Sequence, residues 1–425
     1  MRQPVPAEGV QPSSGIDGVG LDISLIPDRR PEEPQADPSL PEDKNERFNT
    51  IMQGFLSQQL PQLLPETFSA TPHVASFPSS GATARGFKVT TADGQSYYAK
   101  LRPLSDEELA AQDKLLDISP LTKEATFTKK LKGQGIKVAD ITPPVVLGIN
   151  ELPGSIDGLD LRFGGLAVKG RERPYLLMLQ SFEPGEPARV AFDNQAIQQK
   201  ATFELGQQIR TVNEIEVDGF GSNYDATQNR FTQNWSEFLE ELGPERKAKE
   251  LQQLGIFTDQ DVERIKAITA PLKQLNPQAV LTHTDLNLGN YLTDAIGGLS
   301  CIVDWETAKG APWQYEIATA LNSIEATNIG VPFKDRAAQA QAFIDGYGIS
   351  GKALADNTTV IDALRVTDAV SYMHALHITY GWKHEVGAYQ TIANETFQRT
   401  KAPETPDYRQ SLLGVEAILR NRIGM

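Results

Sequence analysis

The chain has 425 residues, 40% hydrophobic and 22% charged, with a formal net charge of −15 and one cysteine. That is enough apolar material for more than one lobe with its own core, while the acidity argues against a nonspecific nucleic-acid binder and the lone cysteine excludes an intramolecular disulfide. No apolar run approaches a membrane span and no basic-then-apolar leader opens the chain, so neither membrane nor nucleic acid is expected as a partner, and the expected location is cytoplasmic.

Residues 1–45 are crowded with Pro, Glu, Asp, Ser and Gly and nearly free of aromatics. They read as a disordered acidic tail, with ten acidic and five basic residues up to Phe48. From Phe48, "FNTIMQGFLSQQLPQLL" sets Ile51, Met52, Phe55 and Leu56 at helical spacing and predicts a helix that caps the N-terminal lobe. Its polar face is Gln and Ser, whereas a membrane-surface helix would carry lysines.

Residues 74–101, "VASFPSSGATARGFKVTTADGQSYYAKL", predict a strand, a loop of small residues (Ser79, Ser80, Gly81, Ala82, Thr83), then two strands joined at Asp93-Gly94. Small side chains let backbone approach a phosphate closely. Lys100, at the end of the second of these strands, would hold an ammonium against nucleotide phosphates. The next periodic run, "LTKEATFTKKLKGQGIKV", places Leu121, Ala125, Phe127 and Leu131 on one helical face and stops at Gly133 or Gly135. Glu124 in its first turns is the expected partner of Lys100, with Glu107 and Glu108 as rivals.

The richest stretch is "LTHTDLNLGNYL", residues 281–292, followed by a Gly297-Gly298 turn and "LSCIVDWE". Two strand-like runs around a Gly-Gly turn predict a hairpin, which would bring Asn290 beside Asp304. An amide carbonyl and a carboxylate there suit a hard cation such as Mg2+, and Asp285 in the preceding loop could orient or deprotonate a hydroxyl attacking a phosphate. Cys301 lies inside an apolar strand and reads as packing. His374 and His377, three apart with His384 beyond, lack a further ligand at firm spacing and read as a packed face. Trp382, Tyr380 and Glu385 are candidates for lining an acceptor pocket.

The order of small-residue loop, strand lysine, helix glutamate, Asp-to-Asn loop and hairpin aspartate resembles the protein-kinase-like fold. "HTDLNLGNYL" and "IVDWETA" are similar, more closely, to the family of aminoglycoside, choline and homoserine kinases, over about residues 50–400. The resemblance implies an α+β, bilobal architecture with a small β-rich N-terminal lobe (46–180) and a larger, mainly helical C-terminal lobe (181–425). It also implies an ATP- and Mg2+-dependent kinase acting on a small-molecule hydroxyl, with a protein-directed kinase or a noncatalytic nucleotide-binding module as the alternatives. Asp285 would be the catalytic residue, Asn290 and Asp304 the metal ligands, and Lys100 braced by Glu124 the phosphate contact, with Ser80 and Gly81 in the nucleotide loop. "PYLLMLQSFEPGEP" looks like the hinge, so backbone from Leu179 through Ser181 to Phe182 is expected against the base. His283 would be architectural. The net acidity suggests a cationic acceptor such as an aminoglycoside or amino alcohol. Glu316 stands where relatives commonly show an aspartate, and no arginine precedes Asp285 as in eukaryotic protein kinases.

Overall fold

The computed structural model describes residues 43–77, 84–111, 119–163, 166–188, 195–327 and 333–375. The expectations for the tail up to residue 42, for Ser80 and Gly81, and for His377, Tyr380, Trp382, His384 and Glu385 lie outside these residues. None of the described helices is long and apolar enough to cross a membrane.

The fold is α+β and bilobal. Helix α1 (Lys44–Leu63) opens on Asp43, whose carboxylate accepts hydrogen bonds from the Asn45 and Glu46 amides at 2.9 Å each, satisfying donors that a helix start leaves free. It therefore begins just before residue 46. Its buried stripe is Phe48, Met52, Leu56 and Leu60, a strict i, i+4 row, with Ile51 and Phe55 only partly buried beside it. Phe48 packs edge-on to Phe163 and stacks on Tyr175, 6.0 and 6.1 Å between ring centroids. Each such buried side chain is worth about 1.5–3 kcal/mol, enough to fix the helix on the sheet.

Beneath it lie β1 (His73–Ser76), β2 (Arg85–Thr90) and β3 (Ser96–Pro103), with a tight turn between the last two in which Gly94 adopts φ +89°. Then come α2 (Asp106–Ala111), α3 (Pro120–Lys132), β4 (Val145–Leu147), the hairpin β5 (Asp160–Phe163) and β6 (Leu166–Lys169), and β7 (Tyr175–Ser181). The main sheet has the order β1-β2-β3-β7-β4 and is antiparallel throughout. Lys100 pairs with Gly86 on one side and Met178 on the other.

The larger lobe holds β8 (Glu186–Pro187), α4 (Gln195–Val212), β9 (Phe220–Asp225), β10 (Arg230–Gln233), α5 (Trp235–Leu242), α6 (Pro244–Gln253) and α7 (Asp259–Thr269). It continues through β11 (Val280–Thr282), β12 (Tyr291–Thr293), β13 (Leu299–Ile302), β14 (Lys309–Ala311), α8 (Trp313–Thr327), α9 (Phe333–Tyr347) and α10 (Gly351–His374). Its strands form two small sheets, β13-β12-β8 and β10-β9-β14-β11.

A boundary after residue 180 separates the lobes incompletely. Leu121 of α3 packs with Leu104, Leu176 and Met178 under the N-terminal sheet, but Phe127 and Leu131 belong to the C-terminal core, where Phe127 lies 4.7 Å from Tyr224 and stacks on Phe231 at 5.6 Å. The chain then runs alongside β13, with the Ile302 amide donating to the Lys137 carbonyl at 2.8 Å. Helix α3 thus bridges both lobes, because its two halves present apolar residues to different cores.

Candidate functional site

The hairpin forms as its sequence demands. Asp294 accepts the amides of Ile296 and Gly298 at 2.9 and 2.7 Å, Gly297 adopts φ +79°, and Tyr291 pairs with Ile302. One residue beyond, the Val303 amide donates to the Asn290 carbonyl at 2.9 Å, which sets Asn290 and Asp304 at the same edge. Asp304 itself has φ +69°, a left-handed conformation that aspartate tolerates better than most residues.

The loop before the hairpin is tied at both ends. His283 is fully buried. Its Nε2 lies 2.9 Å from the Val303 carbonyl and its Nδ1 accepts the Asp285 amide at 3.3 Å, which specifies the neutral Nε2–H tautomer, and burial lowers its pKa further. Its ring meets Trp305 edge-on at 4.5 Å, locking the two motifs together. The Glu316 carboxylate accepts the amides of His283 and Thr284, the second at 3.1 Å. Burial pushes Glu316 up to about 7 while these bonds pull it down. Thr284 has φ +66°, a strained state for a β-branched residue that costs roughly 1–3 kcal/mol. Glu316 and a Thr284 Oγ1 bond to the Thr307 carbonyl (3.0 Å) hold it there.

Asp285 then points its carboxylate into the cleft between two amides. Asn287 Nδ2 donates to one oxygen and Asn290 Nδ2 to the other, both at 2.9 Å. Using its nitrogen this way leaves the Asn290 side-chain oxygen without a protein donor among the described residues.

Opposite, Lys100 Nζ lies 3.1 Å from Glu124, 2.6 Å from Asp304 and 2.9 Å from Glu306. Of the rivals, Glu108 instead pairs with Arg102 and caps α2, while Glu124 meets Lys100. Burial opposes the ammonium, but the three carboxylates overcome it and hold the Lys100 pKa well above its usual value. Burial in turn pushes Glu124 to about 7 and Asp304 to about 6, against the pull of Lys100. One oxygen from each of Glu124, Asp304 and Glu306 lies within 4.8 Å of the others. One lysine cannot neutralise three carboxylates. The surplus negative charge and the unused Asn290 oxygen make an all-oxygen donor set that fits a hard divalent cation such as Mg2+. Glu306 stands in the motif "IVDWETA" without a role that sequence assigns, and only the fold shows that it reaches Lys100.

The hinge expectation needs correction. The Leu179 amide donates to Thr142 Oγ1 (3.2 Å) and its carbonyl accepts from the Thr142 amide (2.8 Å), while the Ser181 amide donates to the Asp140 carbonyl (2.7 Å). The segment before β4 has zipped along β7 and consumed those groups. Leu179 is buried and does not line the cleft; of the expected span Gln180, Ser181 and Phe182 do line it, together with Glu183, and Phe77 lies 6.0 Å from Phe182.

These groups line one cavity of about 1430 Å³. Lys100, Asp304 and Phe182 mark one end; Asp285 and Asn290 stand in the middle; and Lys309, Tyr315, Lys247 and Asp368 mark the other. Lys123, next to Glu124, donates to the Ser222 and Ala308 carbonyls at 3.1 and 2.9 Å and so ties α3 to the C-terminal lobe. A lysine inside a charged helical run carries no signal of this. Cys301 is buried, and burial pushes its thiol up to about 12, so it is packing. His374 pairs with Glu250.

The overall fold is shared with solved phosphotransferases. A thermostable mutant of aminoglycoside phosphotransferase APH(4)-Ia in its apo form superposes with a TM-score of 0.56 at 13% identity, over 83% of this chain and 100% of that one. A further mutant of the same enzyme, in a ternary complex with AMP-PNP and hygromycin B, gives 0.56 at 14% identity over 81% and 100%. Another, in a ternary complex with ADP and hygromycin B, gives 0.55 at 13% identity over 81% and 99%. No curated protein matches the sequence. The model of the phosphotransferase enzyme family, however, matches residues 74–358, a span running from β1 through the lysine, the Asp285 loop and the hairpin into α10. With site and fold in agreement over most of its length, the chain belongs to the phosphotransferase enzyme family.

Proposed function

We propose that this phosphotransferase uses ATP and Mg2+ to phosphorylate a hydroxyl of a small molecule. The observation that carries the reading is the convergence in one cavity of Lys100 with its three carboxylates and Asp285 with its two amide neighbours. The solved relatives whose fold this chain shares bind ADP and AMP-PNP, which supports an adenine nucleotide.

When bound, Mg·ATP supplies the phosphoryl group and a cationic charge against its oxygens. Asp304 and Asn290 would hold the metal, and Glu306, with a carboxylate oxygen within 4.8 Å of one of Asp304, would add a third oxygen donor. Lys100, kept in place by Glu124, gives its ammonium to the phosphates. Asp285 accepts a hydrogen bond from the acceptor hydroxyl, aligns that oxygen and takes its proton as the new O–P bond forms and the bond from the γ-phosphorus to the departing ADP oxygen breaks. The hydrogen bonds from Asn287 and Asn290 hold the carboxylate in its orientation. His283, buried and neutral, braces the loop without touching the reacting atoms.

The test is to incubate the protein with ATP, Mg2+ and a panel of hydroxylated small molecules and to follow ADP release together with product mass. The expected result is a product heavier by one phosphoryl group. Transfer from labelled ATP to proteins in a lysate, with none to any small molecule, would overturn the small-acceptor reading.

A further inference from the structure

Beyond Asp285 the cavity is walled by α5, α6, β14, α8 and α10, and its charges are matched unevenly. Glu241 is engaged by Gln233 at 2.7 Å and Asp368 by Asn322 at 2.9 Å. Lys247 donates to Ser371 Oγ at 3.2 Å. Lys309 has no hydrogen bond or ion pair from its ammonium among the described residues. It sits between aromatic rings instead, 5.7 Å from the centroid of Tyr315 and 6.0 Å from that of Phe238. Its backbone is firmly placed, since β14 pairs with β11 and Thr282 Oγ1 donates to the Lys309 carbonyl at 3.0 Å, directly before the Asp285 loop. Burial lowers the Lys309 pKa, and burial together with the nearby Arg246 and Lys309 charges brings Lys247 to about 8. Glu241, Asp368 and Asp285 act on Lys309 only at longer range.

An ammonium with no hydrogen bond or ion pair among the described residues, in the wall of a cavity next to a reactive carboxylate, can be completed by a ligand group. We propose that the acceptor carries an anionic oxygen group, a carboxylate or a phosphate, which pairs with Lys309 while the acceptor's hydroxyl meets Asp285. Lys247 adds a second positive charge on the same side. This rests on the reading of Asp285 as the acceptor-facing residue and names the class of acceptor: an anionic one, rather than the cationic one that net charge alone suggests.

Matched six-carbon probes test it: gluconate, glucose 6-phosphate, sorbitol and glucosamine, titrated by calorimetry into protein loaded with Mg2+ and AMP-PNP. At least one anionic probe is expected to bind roughly tenfold more tightly than the neutral and cationic probes. Lys309→Met should erase that preference, and Lys309→Arg should keep it. Lys247→Met, read the same way, should weaken the preference without removing it, and provides a second reading should Lys309→Met fold poorly. Equal or tighter binding of sorbitol or glucosamine, or an anion preference that survives Lys309→Met, would overturn the proposal. ADP release with the same probes separates the two claims. Lys309-dependent anion binding with no phosphoryl transfer supports the anion site and counts against the kinase reading, whereas transfer to glucosamine or sorbitol alone supports the kinase reading and overturns the anion site.

Discussion

At one end of the cleft Lys100 touches three carboxylates; at the other Lys309 touches none among the described residues. The first end is over-supplied with negative charge and is assembled before any ligand arrives, with Glu124 held on a helix anchored in both lobes. The second end carries Lys309 on a rigid strand, where Glu241, Asp368 and Asp285 act on it only at longer range. On the proposed reading a divalent cation with phosphates completes the first end and an anionic group of the acceptor the second. Asp285, Asn290 and Asp304 come from one loop and hairpin, while α5, α6, α8 and α10 around Lys309 come from segments distant in sequence.

The largest expected effect separates the chemistry from both ends. Asp285→Asn should lower kcat by about 10²–10⁴-fold while ATP binding, followed by fluorescence or calorimetry, is largely retained. Near-normal turnover would remove Asp285 from its role. Lys100→Met probes the crowded end, because it leaves the buried Glu124 and the partly exposed Asp304 and Glu306 with no cation. A loss of about 3–5 kcal/mol in denaturant-derived stability is expected without metal, partly recovered by added MgCl2. Recovery is the informative part, and its absence would speak against a cation at Asp304 and Glu306.

A smaller effect is expected from Lys123→Met, which removes the donor to the Ser222 and Ala308 carbonyls. Losing these bonds should cost about 1–3 kcal/mol and raise KM for ATP through slackening of α3 and its Glu124. The mildest prediction concerns pH. Glu316 has its folded-state pKa raised by burial from 4.5 to about 7, so between those values the folded protein binds more protons than the unfolded chain. Its contribution is therefore fully present below about pH 4.5 and lost as pH rises through 7. Relative to Glu316→Gln, the wild-type protein should lose stability between about pH 5 and pH 8 in urea titrations. An identical pH dependence in both proteins would show that Glu316 is not the group responsible.

Asp285, Asn290 and Asp304 are legible in the sequence because one turn and one hairpin bring them together over about twenty residues, and Asp294 with Gly297 specify that hairpin locally. Lys100 and Glu124 are legible as a strand residue and a helix residue within mutual reach. Their partner Glu306 is visible in its motif but has no assignable role until β3 and the hairpin meet across the cleft. Leu179 is misread from sequence because nothing in its own strand reveals that residues 140–142 pair beside it and use its backbone. Of the four α1 residues expected at helical spacing, Met52 and Leu56 are buried in a row with Phe48 and Leu60, while Ile51 and Phe55 are only partly buried, since several faces are apolar enough and the sheet chooses one.

By itself the sequence indicated the bilobal α+β class through its resemblance to a kinase family, and through local turn chemistry the loop and hairpin that bring Asp285, Asn290 and Asp304 together. Tertiary structure alone decided that α3 belongs to both cores, that Glu316 holds the Asp285 loop from α8, and that Lys309 lines the same cavity with no ion pair among the described residues. The reason is physical: burial and charge pairing depend on which surfaces meet in space, and a lysine reads the same in sequence whether water, a carboxylate or an aromatic wall surrounds it.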